Sequence, residues 1–171
     1  MKIKKADDTY TKEIARIYVD SWRTTYKGLV PDAYLDSLSY EESKLKWTDF
    51  LEQQDSIIYV ALNSDQQVVG FASAQRATDV NYDGELYSLY LLKEDQGYGI
   101  GKQLVSAITT EFLSKGFRSM MVWAMKQNHS ATSFYQRLGG RIIAERLSTF
   151  GEKIVEDVAY GWDDLTLLET H

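Results

Sequence analysis

The sequence contains no cysteine, which excludes disulfide bonds, thiolate nucleophiles and cysteine-ligated zinc. That composition is compatible with a reducing compartment. No window approaches the roughly 20 apolar residues that a membrane-spanning helix requires, and the charge-rich residues 1–8 lack the apolar segment of a signal peptide. From these absences we expect a cytoplasmic protein with no membrane partner.

Positive charge is also scarce. The chain has 19 lysine and arginine residues against 25 aspartate and glutamate residues, which gives a formal net charge of −6. The basic patch of a nucleic-acid-binding domain is missing, so no nucleic-acid partner is expected. An acidic field favours a cationic small substrate over a polyanion, although solubility alone accounts for the same balance. Hydrophobic residues are plentiful, at 44% of the chain, and residues 1–171 are expected to form a single folded domain.

Hydrophobic periodicity predicts an α/β fold in which helices cover both sides of one mixed sheet. The first helix is predicted from the apolar stripe of Ile14, Ile17, Tyr18, Ser21 and Trp22. Short helices are expected over residues 23–55, with Pro31 in a first turn, and later helices from residue 100 to near residue 116 and over 130–138. The predicted strands cover residues 56–62, 67–74, 85–92, 119–125, 141–150 and 152–160.

A glycine-rich loop, Gln96-Gly97-Tyr98-Gly99-Ile100-Gly101, lies between a predicted strand and a predicted helix. Its glycines let the backbone approach a ligand closely, and the first N–H groups of the helix are unpaired with a partial positive charge. This combination predicts a pyrophosphate site. The Walker spacing fails because Gln103 follows Lys102, and the Rossmann glycine spacing is absent as well. The alternative for the loop is a structural turn that binds no ligand. Lys102 could contact a phosphate of the ligand, and the alternative is that it is a solvated lysine on the helix.

A second informative stretch runs from Asn128 to Gly140. An asparagine directly follows a predicted strand, and the next short helix contains Phe134-Tyr135 and ends in Leu138-Gly139. The glycine-rich loop has the spacing [Q/R]-x-x-G-x-[G/A]. In this order the two stretches resemble the GCN5-related N-acetyltransferase (GNAT) family, and the resemblance covers roughly residues 10–160.

The resemblance implies the GNAT fold, with six to seven mostly antiparallel strands splayed at the centre of the sheet and about four helices. It implies acetyl-CoA as the cosubstrate and no metal. The pantetheine arm would pair with the main chain of Leu89 and Leu91 and hydrogen-bond Asn128, while Tyr135 would act as general acid beside the sulfur. The loop residues that the resemblance expects to contact the cofactor are Gln96, Gly97, Gly99, Gly101 and Lys102. A turn or cap for Asn128 and a core position for Tyr135 are the structural alternatives.

The acceptor needs a base, because an alkyl amine with a pKa near 10.4 is almost fully protonated at pH 7. Glu85 is the candidate. The number of residues between Glu85 and Gln96 matches the spacing between the catalytic glutamate and the motif glutamine in the histone-acetylating branch of the family. The alternative is that Glu85 is a solvated glutamate at the start of a strand. Tyr87, on the same strand face, is expected to position the acceptor. Residues 22–31 resemble a segment of bacterial small-molecule acetyltransferases, including polyamine-acetylating ones. That resemblance implies Trp22 and Tyr26 as walls of the acceptor cleft, with core packing as the alternative.

The predicted activity is direct transfer of the acetyl group in a ternary complex to a primary amine, with a polyamine-like small molecule as the first candidate and a peptide as the second. Dimerisation is common in the family, so a homodimer is an assembly to test. Two hypotheses from other classes stay open, a catalytically silent CoA-binding or sensory module and a nucleotide-binding protein. His129 and His171 have no partner pattern that would indicate a metal site.

Overall fold

A computed structural model describes residues 1–168, and His171 lies outside the described residues. The five helices are α1 (Thr11–Thr25), α2 (Asp32–Ser37), α3 (Tyr40–Glu52), α4 (Ile100–Ser114) and α5 (His129–Arg137). The seven strands are β1 (Lys2–Lys5), β2 (Ile57–Leu62), β3 (Val68–Arg76), β4 (Gly84–Leu91), β5 (Met120–Met125), β6 (Arg141–Phe150) and β7 (Lys153–Trp162). Within residues 1–168, no helix combines the length and the apolar character needed to cross a bilayer.

The strands form one sheet in the order β1-β2-β3-β4-β5-β7-β6. The central pair, β4 and β5, is parallel, and the other neighbouring pairs are antiparallel. Helix α4 supplies the crossover that a parallel pair needs. This arrangement confirms the mixed, mostly antiparallel sheet predicted from the sequence.

Separate apolar cores lie on the two faces of the sheet. One core packs α4 and α5 against the sheet, and the other packs α1, α2 and α3 against the opposite face. The predicted stripe of α1 is buried as expected, and Ile14 and Ile17 have no exposed surface. We call the second face the α1 face below.

Two elements differ from the sequence prediction. Strand β1 was not predicted, because Ile3 is its one apolar residue and its neighbours are lysines; it forms an edge strand on β2. Residues 40–52 form one helix of 13 residues rather than a series of short ones. Ser39 caps that helix through a hydrogen bond from the Glu42 N–H, which is the signal that marks its start.

The strands β4 and β5 separate partway along their length. Gly84–Leu86 pairs with Met120–Val122, and no further pairing joins the two strands. Leu92 donates its N–H to the Val69 carbonyl at 2.9 Å, so its backbone groups point towards β3. Because backbone groups alternate in direction along a strand, those of Leu89 and Leu91 point the other way, towards the gap. The structure thus contains the central splay that the family resemblance implied.

A β-bulge at Tyr87 sets the direction of the side chains that border the gap. The β3–β4 register shifts between the pair Ser73–Ser88 and the pair Ala74–Leu86, which leaves Tyr87 as the extra residue. As a result Leu89 packs on the α4 side, as Leu86 does. The ring of Tyr87 lies on the α1 face, stacked on Phe50 at 5.5 Å between centroids.

Candidate active site

A cavity of about 690 Å³ occupies the gap between β4 and β5. The glycine-rich loop, both splayed strands, α5 and the end of α1 line it. Of the residues predicted for the site, those that line the cavity are Tyr26, Tyr87, Leu89, Leu91, Gln96, Gly97, Gly99, Gly101, Lys102, Asn128 and Tyr135. Trp22 and Glu85 do not line it. The fold therefore brings together residues that are up to 109 positions apart, from Tyr26 to Tyr135.

The glycine-rich loop has the backbone geometry of an anion site. Gly97 and Gly99 have φ values of 86° and 82°, in the left-handed region that disfavours other residues. In α4 the first N–H group that donates a hydrogen bond within the helix is that of Gln103. It donates to the Gly99 carbonyl at 3.2 Å. The N–H groups of residues 100–102 precede it and are available to a phosphate. These features fit a pyrophosphate group.

Gln96 connects this loop to the splayed strand. Its side-chain amide donates to the Leu91 carbonyl at 3.2 Å, on the side of β4 that faces the gap. The hydrogen bond fixes the start of the loop relative to the strand that borders the cavity. Gln96 is thus a positioning residue, a role that the motif alone does not specify.

The cap that the sequence offered as the alternative for Asn128 is present, and the residue also lines the cavity. Asn128 is the N-cap of α5, where its Oδ1 accepts a hydrogen bond from the Ala131 N–H at 3.3 Å. Because the oxygen is used by the cap, the amide nitrogen is the atom of this side chain that can donate to a ligand. Burial raises the pKa of the neighbouring Tyr26 phenol, and the Asn128 side chain partly offsets that rise.

Tyr135 is both a core residue and a cavity residue. Its ring packs against Phe134, Tyr160 and Trp162, and only 5% of the residue is exposed. Burial is the larger of two effects that raise its pKa above the ordinary value of 10; the other is the nearby phenol of Tyr26. Tyr135 therefore stays neutral and can donate a hydrogen bond throughout the physiological pH range.

Trp22 and Tyr26 belong to a packed aromatic cluster at the end of α1. Their ring centroids lie 4.4 Å apart, and the Trp22 Nε1 donates to the Tyr90 hydroxyl at 2.9 Å. Tyr26 reaches the cavity, whereas Trp22 packs behind it against Tyr34 and Phe150. The packing of Trp22 orients Tyr26 and Tyr90, both of which line the cavity.

Glu85 lies on the α1 face, two residues before Tyr87 on β4. It is half-buried, and this burial raises its pKa above the ordinary value of 4.5, an effect that the charge of Arg146 partly offsets. Tyr87 lines the cavity and is 40% exposed. The arrangement places a carboxylate with increased proton affinity beside Tyr87, which lines the cavity.

Sequence reasoning missed Trp123 and Arg146. Trp123 lies on β5 and lines the cavity, and the Arg146 guanidinium lies 4.0 Å from the centroid of its ring. Neither residue belongs to a motif. Their contact depends on the order β5-β7-β6, in which the chain-distant strands β5 and β6 are separated by one strand.

Comparisons with known proteins agree with this geometry. The model of the Acetyltransferase (GNAT) family matches residues 11–140. The uncharacterised N-acetyltransferase YuaI of Bacillus subtilis (strain 168) is 40% identical over 161 residues, which cover 93% of this chain and 91% of YuaI. A spermidine N(1)-acetyltransferase of Thermoplasma acidophilum is 28% identical over 134 residues, which cover 76% of this chain and 80% of that protein.

Solved structures share the fold. The PaiA N-acetyltransferase of Thermoplasma acidophilum, in complex with coenzyme A, matches with a TM-score of 0.73 at 24% identity, over 91% of this chain and 96% of that one. A match at this level of identity shows a common fold.

The left-handed loop glycines lead to a first prediction. A side chain at Gly99 costs about 1–2 kcal/mol in that conformation, so Gly99→Ala should weaken coenzyme A binding roughly tenfold in isothermal titration calorimetry. Gly116→Ala is the matched control, because Gly116 has a similar φ of 85° and open space around an added Cβ but does not line the cavity. Equal affinities for both variants would contradict the role of the loop.

Asn128 gives a second prediction, because its two functions can be separated. Asn128→Asp keeps the oxygen that caps α5 but removes the donor, so coenzyme A affinity should fall about tenfold while thermal stability is retained. Asn128→Ala loses both functions and should also lower the free energy of unfolding by about 1 kcal/mol. Calorimetry and urea denaturation measure the two effects. Wild-type affinity in Asn128→Asp would exclude a contact through the amide nitrogen.

Proposed function

Because the chain belongs to the acetyltransferase (GNAT) family, we propose that it transfers the acetyl group of acetyl-CoA directly to the primary amine of a small molecule in a ternary complex. One observation carries the proposal. A single cavity extends from the glycine-rich loop, between the splayed strands and past Tyr135, to Tyr87 and Trp123 on the α1 face. A donor bound on the α4 side and an acceptor bound on the α1 face can therefore meet within it.

The donor is bound mainly by backbone groups. The free N–H groups at the start of α4 bind the pyrophosphate, and the exposed edge of β4 at Leu89 and Leu91 pairs with the amides of pantetheine. The amide nitrogen of Asn128 donates to the same arm, and Lys102 at the mouth of the cavity contacts a phosphate. The acetyl group then lies beside Tyr135.

The reaction needs a proton to leave the amine and another to reach the sulfur. Glu85, acting through water, accepts the amine proton, and the neutral nitrogen attacks the thioester carbonyl. The N–H of Leu91 stabilises the oxyanion that develops. As the carbon–sulfur bond breaks, Tyr135 donates its proton to the thiolate, which leaves as free CoA thiol. The attacking nitrogen loses its second proton as the amide forms, and that proton restores Tyr135 through solvent.

The acceptor is a primary amine whose identity the family does not fix. Spermidine is the first compound to test, because one relative is named as a spermidine N(1)-acetyltransferase. Peptide N-termini are the second class of acceptor to test. A catalytically silent CoA-binding module is the competing function. It would bind acetyl-CoA and would not release thiol with any amine.

A thiol-release assay with acetyl-CoA tests the proposed function. The wild-type protein should release CoA only when an accepted amine is present. Tyr135→Phe should lower kcat about a hundredfold or more, because the acid is lost, while its Kd for acetyl-CoA stays within about twofold of the wild-type value. Binding without release for polyamines, amino acids and peptides alike would favour the silent module, and unchanged kcat in Tyr135→Phe would remove its acid role.

The raised pKa of Glu85 gives a pH prediction. The carboxylate is the base, so kcat/KM should fall as the pH drops through the pKa of Glu85, and this fall should begin above the pH at which an exposed glutamate titrates. Glu85→Gln should lower kcat/KM about a hundredfold and remove that acidic limb. Glu152→Gln, at an exposed position in the β6–β7 turn, is the control. An acidic limb that persists in Glu85→Gln would assign the base to another group.

A further inference from the structure

Arg146 extends from the outer strand of the sheet towards the centre of the acceptor side. Its backbone is on β6, three strands from β4, a separation of about 14 Å at ordinary strand spacing. Its guanidinium nevertheless lies over the Trp123 ring at 4.0 Å, and its charge lowers the pKa of Glu85. The side chain thus reaches over β7 to Trp123, which lines the cavity.

Two contacts hold the guanidinium in one orientation. The Nε donates to Asp157 at 3.1 Å, and the flat face stacks on Trp123. Ser148 donates to the same carboxylate and so fixes Asp157, which is buried. An arginine held in this way has already lost much of its conformational freedom before a ligand arrives.

The terminal nitrogens of Arg146 are not used within the protein. Its ion pair and its hydrogen bond both go through Nε, and over residues 1–168 neither Nη atom has a hydrogen-bond acceptor. Half of the side-chain surface is exposed, although the group is held in place. Two Nη atoms on a planar, permanently charged group match the two oxygens of a carboxylate.

The other charges on this face do not favour a polycation. Asp157 is engaged by Arg146, which leaves Glu85 as the free carboxylate beside Tyr87. Lys46 lies near the same tyrosine, 5.7 Å from its ring centroid, and no carboxylate forms an ion pair with it among residues 1–168. Glu85, Lys46 and the Arg146–Asp157 ion pair together give no excess of negative charge that would favour a polyamine.

We propose that the acceptor is an amine that also bears a carboxylate, as in an α-amino acid, and that the Nη edge of Arg146 binds this carboxylate. The amine then faces Glu85 and the thioester, and the aromatic rings of Tyr87 and Trp123 contact the rest of the molecule. This inference rests on the proposed acetyl transfer and makes Arg146 the residue that determines acceptor specificity. It departs from the polyamine that was the first candidate from the sequence.

The test compares amino acids with the amines that lack only the carboxylate, for example tyrosine with tyramine and methionine with 3-(methylthio)propylamine. For the wild-type protein, kcat/KM should be at least about tenfold higher for the carboxylated member, as one charge-assisted contact predicts. Arg146→Gln should abolish that preference, mainly by raising KM for the amino acid. Aminophosphonate analogues distinguish a carboxylate-specific site from one that accepts any oxyanion.

Arg141→Gln is the matched control, because Arg141 is on the same strand but forms its ion pair with Asp163 at 2.6 Å. It should keep the wild-type preference. Spermidine or a plain amine as the better substrate of the wild-type protein, or a preference that survives in Arg146→Gln, would overturn the inference. Acetyl-CoA binding without thiol release for every amine would instead count against the proposed acetyl transfer.

Discussion

The separation of β4 and β5 after three residue pairs is the constraint on which the site depends. Neighbouring strands normally satisfy each other's N–H and C=O groups, and a buried amide without a partner costs about 1–3 kcal/mol. Here the strands part after Leu86 and Val122, and a cavity begins where the ladder ends. A ligand that carries amides of its own can complete the β4 edge. Pantetheine is such a ligand, so in the proposed complex the interrupted sheet is itself part of the recognition of the donor.

The two sides of this gap offer different groups to a ligand. On the α4 side these are backbone N–H groups, positioned by left-handed glycines, by the Gln96 bond to Leu91 and by the Asn128 cap. On the α1 face they are side chains on separate elements, among them Tyr87, Trp123 and Arg146. Backbone recognition tolerates sequence change as long as the turns form. Side-chain recognition changes with each substitution, which allows one fold to accept different amines with the same donor.

The same difference explains what the sequence could predict. Glycine spacing and an asparagine between a strand and a helix are local patterns, so the donor side could be predicted from two short stretches. The bulge at Tyr87 has no local signal, because β4 continues on both sides of it. The contact of Arg146 with Trp123 depends on strand order, and strand β1 has only Ile3 as an apolar residue. For Asn128, the cap uses the amide oxygen and the proposed ligand contact uses the amide nitrogen, so the two interpretations are compatible.

If Arg146 binds the carboxylate of the acceptor, its charge couples acceptor binding to proton transfer at Glu85. In the free protein the guanidinium charge lowers the pKa of Glu85 and opposes the larger effect of burial. A carboxylate bound to the Nη edge would offset that charge and remove further water, and both changes favour the protonated form of Glu85. The proton affinity of the base would then rise when an acceptor of the proposed class occupies the site. An amine without a carboxylate would leave the charge of Arg146 uncompensated, and Glu85 would remain a weaker base. In the proposed complex the residue that selects the acceptor thus also adjusts the base, because the charge of Arg146 acts on both the acceptor carboxylate and Glu85.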